Sequence, residues 1–280
     1  MWDSHTSTFA GLLTTSDYIN VVQYYWQNPD ALGQIDQFRL SSLRGTEGSK
    51  HIKFVNGILN IGLDIEKAIG VQPLETLSIH PMRPLYEACR QMLKTRARRI
   101  PLVDIDDETG REMVVSVITQ YRILKFIAVN VDDTELLKKT VLELKLGSYG
   151  DLQTASMETS VIDVIHMMVK YNISSVPIVD EEKHLLNVFE AVDVIACIKG
   201  GAYDELTTSV GEALTKRADE FPGIYTCSED DRLDSIFDTI RKSRVHRLVV
   251  IDDENKLKGV ISLSDILKYV ILHGAEDDQD

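Results

Sequence analysis

The hydrophobic and polar positions of this chain fall into one pattern that is written several times. Val161, Ile162, Val164, Ile165, Met168 and Val169 recur at three- and four-residue spacing and predict an amphipathic helix over 161–169. Val176-Pro177-Ile178-Val179-Asp180 then predicts a buried strand, stopped by the turn-like Asp180-Glu181-Glu182-Lys183. A second strand follows over 185–189. Asp193 opens a helix over 194–198, which ends before Gly200-Gly201. The same order returns as helix 233–241, strand 247–251, turn 252–256, strand 257–262 and helix 264–272.

The strand entrance is the most repetitive word. Arg98-Arg99-Ile100-Pro101-Leu102-Val103-Asp104 recurs as Ser174-Ser175-Val176-Pro177-Ile178-Val179-Asp180 and as His246-Arg247-Leu248-Val249-Val250-Ile251-Asp252. Each copy runs on to a short polar step before a helix: Thr119-Gln120-Tyr121-Arg122, Glu190-Ala191-Val192-Asp193 and Ser262-Leu263-Ser264-Asp265. A fourth ending, Thr14-Thr15-Ser16-Asp17, has no matching beginning. The last three endings recur at 71 and 72 residues, from Arg122 to Asp193 to Asp265, the mark of a repeat architecture. A helix-strand-strand-helix unit of roughly 50–60 residues buries little surface by itself, so the units are expected to pair.

Composition narrows the class. The chain has 280 residues, of which 44% are hydrophobic, and a formal net charge of −14, which argues against non-specific nucleic-acid binding. No apolar run approaches the roughly 20 residues of a membrane span, and the N-terminal residues do not read as a signal peptide. Cys89, Cys197 and Cys227 lie far apart in apolar contexts and read as reduced core residues, not a metal site. The acidic 275–280 segment reads as a solvated tail.

Two residue classes carry candidate chemistry. Asp17, Asp193 and Asp265 each follow a strand and start a helix, which puts a carboxylate beside unsatisfied amides. At any one copy this is ordinary helix capping. Repetition favours a shared ligand, and a carboxylate that accepts two hydrogen bonds suits the vicinal diol of a ribose. Arg122 fills the same slot in one repeat and offers no acceptor. The cations that could meet phosphate are Arg98, Arg99, His246 and Arg247 at equivalent strand entrances, and Arg122 with Lys125. Thr14, Ser262 and Ser264 flank the aspartates, and Ser174 mirrors Arg98.

The repeat grammar resembles the cystathionine-β-synthase (CBS) module, which associates in pairs. Four such endings in one chain, with 245–250 and 260–267 in the last, resemble the gamma-subunit family of AMP-activated protein kinase. Gly11–Val22 and 121–126 are similar to its fungal form. The resemblance implies an α/β (α+β) fold of tandem CBS modules paired in a disc-like, pseudo-symmetric array. It divides the chain into a remnant of module 1 at 1–27, module 2 at 73–134, module 3 at 151–202 and module 4 at 222–274. Residues 45–63 have no family counterpart, and we read them as a translated short intron, beside a misplaced start. A natural surface-loop insertion is the alternative, because long loops cost little.

By the same resemblance the aspartates hold the ribose of an adenine nucleotide, Arg122 leaves its site vacant, and Arg99, His246 and Arg247 contact phosphate. Arg98 stands where the family has a histidine or a small residue. Ser148 matches a contact to the base or sugar of the third-module nucleotide, and Ile173 packs on adenine. The implied function is a non-catalytic regulatory subunit of a heterotrimeric energy-sensing Ser/Thr kinase, in cytoplasm and nucleus. Its ligands would be AMP, ADP and ATP, without a cofactor, and its partners a catalytic (alpha) and a scaffold (beta) subunit. The alternative is a CBS pair binding another adenosyl ligand and controlling a different enzyme or transporter. Catalysis finds no support: there is no P-loop, no Gly-x-Gly-x-x-Gly and no His-Glu-x-x-His, and a His246–Asp265 dyad lacks an oriented nucleophile.

Overall fold

A computed structural model describes residues 2–3, 8–9, 11–30, 77–130, 135–198, 203–218, 221 and 223–273. The 45–63 segment and the 275–280 tail lie outside the described residues. In chain order the elements are β1 (Trp2–Asp3), β2 (Thr8–Phe9), α1 (Thr15–Gln27), α2 (Leu85–Thr95), β3 (Arg99–Ile105), β4 (Glu112–Thr119) and α3 (Gln120–Asn130). There follow α4 (Val161–Tyr171), β5 (Ser175–Val179), β6 (Leu185–Glu190), α5 (Ala191–Cys197) and α6 (Val210–Leu214). The last module supplies β7 (Thr226–Cys227), α7 (Leu233–Lys242), β8 (Arg247–Ile251), β9 (Leu257–Ser262) and α8 (Leu263–His273).

The repeat is visible in backbone pairing. β3–β4, β5–β6 and β8–β9 are antiparallel hairpins, each irregular at one matching place: between Leu102 and Val103, Ile178 and Val179, and Val250 and Ile251. Each hairpin also receives a short parallel neighbour, Ile79 on Leu102, Ala155 on Ile178 and Cys227 on Val250. The strand entrances are buried because their residues are apolar and branched. Ile100, Val176, Ile178 and Val250 are all fully inaccessible.

Helices and sheets pair different modules. One helical core joins modules 2 and 4, with Met92, Ile123 and Leu124 against Phe237, Ile240 and Ile266. A second joins the α1 residues Ile19 and Val22 to Val161, Ile165 and Phe189 of module 3. Modules 3 and 4 meet through their sheets, where Leu185 and Val188 pack on Val249. The Leu185 amide donates to the Asn255 carbonyl, and the Leu257 amide to that of Lys183. This cross-wiring carries strand entrances from three modules toward one centre. The three cysteines are buried.

Two helix starts differ from the sequence reading. The helices expected to begin at residue 194 and residue 264 begin at Ala191 and Leu263. Asp193 and Asp265 are therefore inside the first turn.

The segment before module 3 lies closely on β9. Ser148 and Val260 exchange backbone hydrogen bonds of 2.9 Å in both directions. Gly147 has φ +108°, and a Cβ there would stand 2.8 Å from the Val260 carbonyl oxygen. A Cβ on Gly259 would stand 2.8 Å from the ring of Tyr149 and 2.9 Å from the Ser148 carbonyl oxygen. Gly259→Ala is expected to destabilise the chain by about 1–3 kcal/mol, as overpacking does. Gly150→Ala, with nothing within 4 Å of the added carbon, should stay within about 0.5 kcal/mol of the parent. Chemical denaturation of both variants checks this, and equal stabilities would mean that the strap is loosely held.

Candidate functional site: carboxylates at strand–helix junctions around a cationic centre

Each aspartate is held by the residue three positions upstream. The Thr14 amide and hydroxyl donate to Asp17 Oδ2 at 2.6 and 2.7 Å. The Ser262 amide and hydroxyl donate to Asp265 Oδ2 at 2.8 and 2.6 Å. The Glu190 amide donates to Asp193 Oδ2 at 2.7 Å. These are capping boxes, with the aspartate at the third helical position. The sequence reading placed the aspartate itself at the cap. The correction follows from the hydroxyls: Thr14 and Ser262 take the cap position, which favours Ser and Thr, and release the carboxylate. At Asp17 and Asp265, among the described residues, the second oxygen Oδ1 carries no hydrogen bond. It is the atom that could accept from a diol.

The predicted cations converge, with one change in the order. Arg98 Nη1 donates to the Ser174 hydroxyl at 2.7 Å, across 76 positions of sequence. Arg247 Nη2 donates to the same hydroxyl at 3.3 Å, and its Nη1 lies 3.4 Å from the Ser174 carbonyl oxygen. Arg98, which stands where the family has a histidine or a small residue, thus reaches the centre beside Arg247. Arg99 begins β3 and is exposed. It adds its charge to those around His246. Desolvation first, and then Arg247, Arg99 and Arg98, hold the His246 imidazole below its ordinary value, while Glu190 opposes them. Arg98 is exposed as a whole residue, yet desolvation of its guanidinium within the cluster, and next the Arg247 charge, likewise lower it.

Glu190 is a residue the sequence reading did not single out. Its carboxylate lies 3.2 Å from Arg247 Nη1, and the two side chains are only 20% and 14% exposed. The signal was present, because Glu190 stands where the other endings have Thr14, Thr119 and Ser262. Gln120 was also missed. Its amide donates to the Arg98 carbonyl and its Oε1 accepts from Ser264 Oγ at 3.1 Å, which sets the start of α8 beside the entrance of β3. Ile173 is half-buried against the module 3 core. Ser148, expected at the third-module nucleotide, instead pairs with Val260 on β9 of module 4.

Two predicted residues stay apart from the centre. Arg122 Nη1 donates to the Val117 carbonyl at 3.3 Å, and Lys125 Nζ lies 3.5 Å from Tyr121 Oη and 5.8 Å from that ring's centroid. Asp193 differs from its counterparts in a way no repeat could show. Its Oδ1 accepts from Arg217 Nε at 2.8 Å and its Oδ2 from Arg217 Nη2 at 2.6 Å. Arg217 lies just past α6, outside the repeated elements, so no position in another module marked it in advance. Among the described residues no group of three or more His, Cys, Asp or Glu side chains is arranged to hold a metal ion.

The chain matches the CBS-domain family over residues 73–129, 150–200 and 219–272. It is 53% identical to the 5'-AMP-activated protein kinase subunit gamma of Kluyveromyces lactis, over 97% of this chain and 77% of that protein. Against the Saccharomyces cerevisiae subunit of the same name it is 52% identical, over 97% and 79%. Among solved structures, protein MJ1225 of Methanocaldococcus jannaschii superposes with a TM-score of 0.65 at 16% identity, covering 96% of this chain and 86% of that one. At that identity the superposition speaks for the fold. The repeats, the paired sheets and the length of the match agree: the chain belongs to the gamma-subunit family of 5'-AMP-activated protein kinase, built from CBS domains, and is a regulatory rather than a catalytic subunit.

Proposed function

We propose that this chain senses adenylate charge by binding AMP, ADP and ATP between its modules, and that it does so in a heterotrimer with a kinase catalytic subunit and a scaffold subunit. One observation carries the reading. A chain of net charge −14 brings Arg98 and Arg247 onto one serine, Ser174, and sets the charges of Arg98, Arg99 and Arg247 around His246. At the module 4 junction the carboxylate of Asp265 is held through Oδ2 alone, which leaves Oδ1 without a hydrogen bond among the described residues. An anion attached to a diol satisfies both groups, and a nucleoside phosphate is such a molecule. The adenine and ribose are common to AMP and ATP, so discrimination rests on how further phosphates meet the cations. Co-purification of the chain with catalytic and scaffold subunits, and loss of that complex when the chain is omitted, tests the assembly.

Calorimetry tests the two halves of the site. Asp265→Ala is expected to weaken AMP by about 1–3 kcal/mol, the range for hydrogen bonds to a charged group left unmade. Arg247→Gln should weaken AMP and ATP and also narrow the difference between them. An Asp265→Ala protein that folds and binds AMP as before would overturn the ribose assignment. An unchanged AMP-to-ATP ratio in Arg247→Gln would make the cluster a structural rim.

The depressed pKa of His246 gives a sign for pH. In the free protein the ring is neutral near pH 7. A phosphate beside it favours the protonated form and raises the pKa of the complex. Binding therefore takes up a proton between the two values, and affinity rises as pH falls through that window and is flat above it. The phosphate's own second ionisation, near pH ~6, contributes in parent and variant alike. The steeper dependence of the parent relative to His246→Gln isolates the ring, read by AMP titration across the acidic range. Equal slopes would remove His246 from phosphate contact.

A further inference from the structure

The three aspartates at equivalent junctions are not equally available. Asp265 spends one oxygen on the Ser262 cap and keeps the other. Asp193 spends both: the Glu190 amide and Arg217 Nη2 take Oδ2, and Arg217 Nε takes Oδ1. We propose that Arg217 latches the third-module site shut, so that Asp193 receives a ribose only when the segment carrying Arg217 moves away. The proposal rests on the reading of these aspartates as ribose contacts and says which of them are open.

Four features make the latch more than a passing ion pair. The two side chains are 11% and 5% exposed, so water does little to loosen them. The guanidinium's remaining contacts are used as well, with Nη1 on Asn187 Oδ1 at 2.9 Å and Nη2 on the Val188 carbonyl at 2.5 Å. Its flat face lies over Phe221, with Cζ 4.1 Å from the ring centroid. Finally, the site has internal comparisons. Val188, Val260 and Val117 occupy the same position, five residues before the slot of Asp193, Asp265 and Arg122. The Val260 carbonyl is taken by the backbone amide of Ser148, which leaves Asp265 free. The Val117 carbonyl is taken by Arg122 itself. In modules 2 and 3 a guanidinium fills the slot, once from within the repeat and once from the chain leading into module 4.

A diol is a weak competitor for this carboxylate. It offers two neutral O–H donors, whereas Arg217 offers a charged two-point fork of the stronger class. The anchoring side is light by comparison. α6 is only Val210–Leu214, and Arg217 sits beyond it on a turn whose amide donates to the Leu214 carbonyl at 3.3 Å. Removing the fork should therefore open the site without dismantling a module. This replaces the simpler expectation that Asp193 and Asp265 serve ribose alike.

The test is AMP calorimetry on the full-length chain, with Arg217→Gln and the double variant Arg217→Gln/Asp193→Asn. The latch predicts that Arg217→Gln gains a binding event about 10- to 100-fold tighter than anything the double variant keeps there. A folded Arg217→Gln with the parent isotherm, or a gain that survives Asp193→Asn, overturns it. Should Arg217→Gln fail to fold, Arg217→Lys keeps the charge but not the fork and should show the same gain. The unaltered chain gives an independent readout in a crystal structure at saturating AMP. Nucleotide at Asp265 with the Arg217–Asp193 pair intact supports the latch, and ribose on Asp193 with Arg217 still in place ends it. Should the parent chain bind no nucleotide at all, the sensing reading falls, and the latch is then decided by whether Arg217→Gln gains Asp193-dependent binding.

Discussion

The carboxylate at the third position of each junction helix is the constraint on which the site depends. A strand that stops and a helix that starts at once leave several amides without partners. The upstream amide and hydroxyl bind one oxygen of the aspartate, as Ser262 binds Asp265. That closes the turn, fixes the angle between strand and helix, and aims the second oxygen away from the backbone. A structural device and the proposed binding atom are thus the same side chain. The arrangement explains why hydroxyl and carboxylate are both repeated at a spacing of three. It also explains why the single replacement of the carboxylate, Arg122, keeps the turn through its own amide on Thr119 Oγ1 while losing the acceptor.

Pairing then converts a local device into a shared site. One module offers a carboxylate and a strand entrance, but the two point to different neighbours. The helical cores tie module 2 to module 4 and the first helix to module 3, while the sheets tie module 3 to module 4. Arg98 and Arg247, on different modules, therefore meet Ser174 on a third. Like charges brought this close repel, and Glu190 offsets the repulsion from inside the cluster. With no anion bound the centre is already partly neutralised. A phosphate bound as proposed would exchange the Glu190 contact of Arg247 for an external one, so its net gain would be smaller than the number of cations implies.

Much of this was legible in the sequence, and the reasons for the rest are specific. The strands over 247–251 and 257–262 were readable because buried strands demand unbroken apolar runs, and such runs have sharp edges. The cation cluster was readable because equivalent places in a repeat are brought together by pseudo-symmetry. The start at Leu263 was missed because Ser and Asp both suit a cap and sequence alone does not say which takes it, and the start at Ala191 because Glu190, not a usual cap residue, takes the cap there. Arg217 was invisible for a different reason. It belongs to no repeated element, and its partner lies 24 residues away on another element. Repeat logic is strongest where copies agree, and it is silent about a side chain that appears in only one of them.

That silence matters for how a sensor of this kind is to be understood. A ligand shifts an equilibrium only by its difference in affinity for the two states. If every aspartate were equally open, three ligands would act through three similar sites, and the assembly would report their sum. Self-satisfied contacts break that equivalence. Where Arg217 holds Asp193, binding must first undo an interaction of the protein with itself, so the site's apparent affinity carries the cost of opening it. Where Ser148 holds only the neighbouring carbonyl, as on β9, no such cost arises. Two junctions that share the aspartate, at Asp193 and Asp265, thus differ through the chain that links the modules. If the aspartates meet a ligand as proposed, the linkers, as well as the modules, are a place where sensitivity can be set.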